Sequence, residues 1–138
     1  MDQHLVDHVI VCGYGIVGHS IIEVLTENKV PFVVLEINSK AAQLAREMKY
    51  NVIEGDATTS RSLKQAGVTE ARAIAIVMDN DAKNLFAVLT ARDLNKDIYI
   101  VTRANDSFVK DKLIEAGANY VSLPHRSASR EILNELMK

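Results

Sequence analysis

A length of 138 residues, with 48% hydrophobic and 25% charged side chains, fits one compact domain with its own core and excludes wholesale disorder. A formal net charge of −2 excludes a global attraction to nucleic acid or to an acidic membrane surface. No apolar run approaches the roughly 18 to 20 residues needed to cross a bilayer, and the polar opening Met1-Asp2-Gln3-His4 is unlike a secretory signal.

Residues 1–7 read as the end of a linker, and the domain proper as residues 8–138. The first strand is predicted over His8 to Cys12 and the first helix over Ile16 to Asn28. Cys12 is the only cysteine; inside an apolar run it reads as a small buried side chain, in keeping with a reducing, cytosolic compartment. Further strands follow at Phe32 to Glu36, Asn51 to Glu54, Ala73 to Val77, Ile98 to Thr102 and Tyr120 to Leu123. Helices are predicted at Ser39 to Lys49, Ser60 to Ala66, Asp81 to Leu94, Ser107 to Ala116 and, beyond Pro124, Ser127 to Met137. Ser39 and Asp81 stand where side chains can cap free backbone N–H groups, and Gly67 and Gly117 where a left-handed residue can end a helix.

Short β-branched runs alternating with helical stretches predict an α/β domain with a parallel sheet, its strands buried on both faces. Right-handed crossovers then favour a Rossmann-like, doubly wound six-stranded sheet in the order 3-2-1-4-5-6.

The segment Gly13-Tyr14-Gly15-Ile16-Val17-Gly18 directly follows the first strand and opens the first helix, the context that gives a GxGxxG pattern its meaning. Gly13 permits a tight turn, Gly15 lets the backbone approach a diphosphate, and Gly18 lets the helix pack on the strand. The helix N-terminus supplies free N–H donors and a positive dipole end. Glu36 ends the second strand, where a carboxylate can accept hydrogen bonds from both ribose hydroxyls. Its charge would repel a 2′-phosphate, so NAD-like or plain adenosine nucleotides are expected over NADP.

Together with Gly55-Asp56-Ala57-Thr58, Ala66-Gly67-Val68, Ala71-Arg72-Ala73-Ile74, Asp79-Asn80-Asp81, Asn84 and Ala116-Gly117-Ala118, these motifs make nearly the whole chain resemble the N-terminal domain of regulators of K⁺ conductance, also called the KTN or TrkA-N domain. The resemblance implies a cytosolic regulatory domain at the inner face of a K⁺ channel, uptake system or antiporter. In it, homodimers or larger rings bind NAD(H) or ATP, ADP or AMP and gate ion flow. It also implies site roles. Phosphates lie against the backbone of Tyr14 to Val17, Glu36 takes the ribose, and Asp56 and Ala57 border the adenine. Met78, Asp79 and Asn80 line the cleft mouth, and Arg103 is similar to a family residue that can reach phosphate. Ile16 is a departure, because several members carry arginine there; reading ATP against ADP through this position is not part of the expectation.

Asp56, Asp79 and Asp81 lack a contiguous ligand loop and read as strand-end and helix-cap carboxylates. His4, His8, His19 and His125 are scattered, so no metal site is assigned. The Asp81 to Leu94 helix carries Leu85, Phe86, Val88, Leu89 and Leu94, an apolar surface wider than one core-facing stripe, and the resemblance implies a homodimer seam there. Ile132, Leu133, Leu136 and Met137 form another stripe, marking the last helix as a crossover or docking helix for a second subunit or a C-terminal lobe. The alternative is the nucleotide-binding domain of an NAD-dependent dehydrogenase. Against it, no Tyr-x-x-x-Lys pair and no serine nucleophile elbow occur, and little chain is left for a substrate domain.

Overall fold

The computed structural model describes residues 5–138; residues 1–4, with His4 and part of the expected linker, lie outside them. The strands are Val9–Cys12 (β1), Phe32–Glu36 (β2), Val52–Glu54 (β3), Ala73–Ile76 (β4), Tyr99–Arg103 (β5) and Tyr120–Ser122 (β6). The helices are Ile16–Glu27 (α1), Ser39–Glu47 (α2), Ser60–Gln65 (α3), Asp81–Leu94 (α4), Lys110–Ala116 (α5) and Pro124–Leu136 (α6). All pairings are parallel, in the order β3-β2-β1-β4-β5-β6 predicted from the alternation of strands and helices.

Strand alternation divides the core in two. On one face Ile10, Cys12, Leu35, Ile74, Ile76 and Ile100 meet Leu63 of α3, Ala87, Val88 and Ala91 of α4 and Leu113 of α5. On the other, Val11 and Val34 meet Ile22 of α1, flanked by Tyr14, Phe32 and Tyr50. Tyr50 packs edge-on against both of the other rings, with centroids 6.4 Å from Tyr14 and 5.5 Å from Phe32.

Burial on both faces holds for β1 and β2 but not throughout the sheet. On β4 to β6 the face away from α4 and α5 carries half-buried Ala73, Ala75 and Val101 and exposed Tyr99 and Tyr120. The reason is α6: in a doubly wound sheet a helix would close this face, yet α6 has no buried residue and does not lie on it.

The helix starts also differ from expectation. Asn38, not Ser39, caps α2 by accepting from the Ala41 N–H, and Asn80, not Asp81, caps α4 by accepting from Lys83. An amide oxygen one residue earlier is in the extended conformation a cap needs, which leaves Ser39 and Asp81 as the first helical residues. Ser107–Val109 forms a 3-10 turn ahead of α5, its start fixed by Asp106 accepting from the Phe108 N–H. The last helix begins at Pro124, three residues before the predicted start, because proline at the first helical position loses no hydrogen bond. Gly67 and Gly117 do take positive φ, at +78° and +121°.

One close approach sets the direction of α1. A Cβ on Gly18 would stand 1.9 Å from the Gly13 carbonyl oxygen, so the helix can sit on the end of β1 only without a side chain there. Gly18→Ala is therefore expected to push α1 off the loop and to lower the unfolding free energy by about 1 to 3 kcal/mol, the usual range for overpacking. Urea denaturation checks this; an unchanged midpoint would show that the loop relaxes without cost.

Candidate functional site

The C-terminal strand ends and the glycine loop enclose a cleft of about 950 Å³ at the point where strand order reverses. That is where open α/β sheets bind ligands, and the volume is that of a small-molecule site.

The loop forms its floor. Gly13 has φ of +108°, a conformation that side chains rarely adopt, and its N–H donates to the Leu35 carbonyl. Gly15 precedes α1 without any side-chain cap, so the first-turn N–H groups face outward with no intrahelical acceptor. A Cβ on Gly15 would meet no atom within 4 Å, in contrast to Gly18. The backbone here is open to close approach by an anion. Ile16, on the rim, is 89% exposed.

Glu36 does something the sequence did not disclose. Its Oε1 accepts from the Tyr14 N–H at 2.7 Å and its Oε2 from the Asn38 N–H at 2.8 Å, so one carboxylate ties the glycine loop to the start of α2. Each oxygen keeps a further lone pair, and Glu36 lines the cleft, so ribose recognition and loop anchoring are compatible. Beneath the loop, burial, with Glu36 adding to it, pushes the Cys12 thiol far up, leaving it protonated and unreactive. The Tyr14 phenol is also raised, by burial first and then by Tyr50 and Glu23.

Beyond β3, Asp56 Oδ1 accepts from both the N–H and the hydroxyl of Thr58, at 2.9 and 2.7 Å. These two bonds hold its carboxyl below the usual carboxylate range; burial opposes the shift and the Lys83 ammonium adds a little to it. Ala57 is buried beside it. Across the cleft, Met78 and Asp79 leave β4 and Arg103 ends β5. The Arg103 Nη2 donates to Asn105 Oδ1 at 2.6 Å, while its Nε is buried without a hydrogen-bond partner among the described residues.

Of the residues singled out in the sequence, Gly13 to Val17, Glu36, Asp56, Ala57, Met78, Asp79 and Arg103 line this one cleft. Gly18 lies behind the loop, and Asn80 is occupied as the α4 cap. Asp81 is spent on the Asn105 and Asp106 N–H groups, and the described residues contain no cluster of three or more metal-ligating side chains. Three cleft residues carried no readable signal. Lys83 is not singled out in the sequence, Phe86 is assigned to the seam alone, and His125 is given no role, the predicted start of α6 lying three residues too late.

The sequence matches the TrkA-N domain family over residues 9–124. Among curated relatives, Potassium channel protein 1 of Methanocaldococcus jannaschii is 38% identical over 132 residues, covering 94% of this chain and 40% of that protein. The chain thus spans well under half the length of that relative. Among solved structures, the TrkA-N domain of inner membrane protein ybaL from Escherichia coli superposes with a TM-score of 0.92 at 28% identity, covering 99% of this chain and all of that one. The GsuK channel bound to NAD superposes at 0.81 and 26% identity, covering 90% of this chain and 22% of the channel chain; GsuK has also been solved bound to ADP.

The lowered pKa of Asp56 has a sign that can be checked. A carboxylate whose folded value is depressed stabilises the protein above its unfolded value and loses that contribution as pH falls through the folded one. Asp56→Asn is expected to be less stable than the parent at neutral pH, with the gap closing as pH drops below roughly 4, where an unfolded aspartate begins to protonate. Denaturant melts across a pH series would reveal it, and a gap independent of pH would rule the electrostatic account out.

Proposed function

The chain belongs to the TrkA-N domain family, and on that footing we propose that it is a regulatory module that binds an adenine nucleotide, NAD(H) or ATP, ADP or AMP, and passes its occupancy to a K⁺ channel or transporter. The observation that carries this reading is the coincidence, in one cleft, of an open glycine loop, an uncapped helix N-terminus and the Glu36 carboxylate. Phosphate would be held by first-turn N–H groups, ribose by Glu36, and adenine would lie beside Ala57 and Asp56. Glu36 also disfavours a 2′-phosphate by charge. With Ile16 on the rim, the loop offers no cation to a third phosphate, which favours a diphosphate or dinucleotide over ATP. Kinship with potassium channel proteins and with a channel solved with NAD and ADP supports the ligand class and the regulatory role.

Regulation in place of catalysis fits the cleft's chemistry. Two of its carboxylates are committed to structural bonds: Glu36 to the loop and Asp56 to Thr58. No helix among the described residues is long and apolar enough to cross a membrane, so pore or transport elements would belong to a partner or to further sequence. We place the domain at the cytosolic face of that membrane partner.

Transmission requires an element whose position the ligand can bias. α4 divides its apolar residues: Val88 is buried in the core and Leu85 and Leu94 pack against it, whereas Phe86 and Leu89 are 57% and 46% exposed. Phe86 also lines the cleft, so it belongs to the ligand site as well as to the proposed homodimer seam. Leu89 and the α6 stripe of Ile132, Leu133, Leu136 and Met137 are free of that double role.

Gly15→Val is expected to fold normally, since its Cβ meets open space, yet to abolish nucleotide affinity by filling the space a diphosphate would take. Calorimetric titration with NADH, ADP and AMP tests this, and undiminished affinity in the folded variant would defeat the loop assignment. Leu89→Asp is expected to shift a self-associating chain toward monomers while leaving nucleotide affinity intact. Light scattering over a concentration series measures that shift, and a parent chain that is monomeric at every concentration would remove the seam.

A further inference from the structure

We infer that Asn84 and Asn105, neither of which lines the cleft, are positioning residues for the second half of a dinucleotide, and hence for discrimination between NAD(H) and AMP. The inference rests on the nucleotide reading above and deepens it.

The cleft has two arms. One lies at the ends of β1, β2 and β3, with Glu36, Asp56 and Ala57; the other lies past β4 and β5, with Met78, Asp79 and Arg103. A dinucleotide bound at the reversal of strand order reaches both, whereas a mononucleotide needs only the first. The arms are held by separate bonds. Glu36 and the Asp56–Thr58 pair hold the first, with no contribution from either asparagine.

In the second arm Met78 and Asp79 are irregular backbone beyond the end of β4, and Arg103 is the last ladder residue of β5, in register with Ser122. Asn84 is fully buried on α4 and spends its whole amide there. Its Oδ1 accepts from the Met78 N–H at 3.1 Å, and its Nδ2 donates to the carbonyls of Met78 at 3.0 Å and Arg103 at 3.1 Å. Asn105 continues the brace. Its Nδ2 donates to the Asp79 carbonyl at 2.9 Å, its Oδ1 receives the Arg103 guanidinium, and its own N–H is held by Asp81. Every backbone or side-chain group these two amides grip belongs to the second arm. Without them that arm must be ordered by the ligand itself, which weakens only ligands that touch it.

The test is calorimetric titration of the 138-residue chain, Asn84→Asp and Asn105→Ala with NAD and with AMP. Asn84→Asp keeps the acceptor for Met78 but turns an oxygen toward two carbonyls, so it is the stronger perturbation and the one at risk of misfolding. Asn105→Ala removes an exposed side chain and keeps the question answerable. The expected result for Asn105→Ala is about a tenfold rise in the NAD dissociation constant, the equivalent of one net hydrogen bond, with AMP unchanged within about twofold. Equal weakening of both ligands, no change in either, or a parent chain that binds AMP but not NAD would each overturn the inference while leaving the nucleotide site standing. A parent chain that binds neither ligand would remove the nucleotide reading, and the inference with it.

Discussion

The van der Waals contact of α1 with the end of β1 is the constraint from which the site follows. Because Gly18 has no side chain, the helix rests on the Gly13 carbonyl, and its uncapped first turn is aimed across the strand ends instead of along the protein surface. A longer side chain would lift the helix, and the loop N–H groups would no longer converge. Gly13 and Gly18 are thus requirements of the fold, while Gly15 faces only empty space and is a requirement of the ligand. Three glycines of one motif answer to two different demands.

Around that contact the cleft is pinned by buried or half-buried polar side chains that grip backbone. Glu36 holds the loop to the β2 end, Thr58 and Asp56 shape the turn after β3, and Asn84 joins the β4 end to the β5 end. Irregular backbone at strand ends needs such partners, since an unpaired N–H or carbonyl away from water is costly. The same bonds make the cleft mechanically continuous with α4. A ligand that shifts Met78 acts on a helix whose other side exposes Leu89.

Half of the sheet is bare on one face, and α6 is unpacked. Tyr99 and Tyr120 are exposed on β5 and β6, and α6 presents an apolar stripe that touches nothing in the described chain's core. Contiguous exposed apolar surface is a feature of association surfaces.

The sequence by itself determined the order and type of the elements, the strand order, and the glycine loop with its acidic partner. Those depend on local signals: β-branched runs, helical periodicity, a strand–glycine–helix succession, and the handedness of crossovers. It also anticipated half of the residues that line the cleft, because strand ends are readable and a doubly wound sheet gathers them at one edge. Only the tertiary structure decided what depends on direction and distance. It moved the caps to Asn38 and Asn80, brought His125 and Lys83 to the rim, divided the apolar residues of α4 between core and surface, and left one face of β4 to β6 uncovered. It also turned Glu36 from a ligand contact alone into the anchor of the loop, because a bond between residues 14 and 36 exists only once β1 and β2 lie side by side.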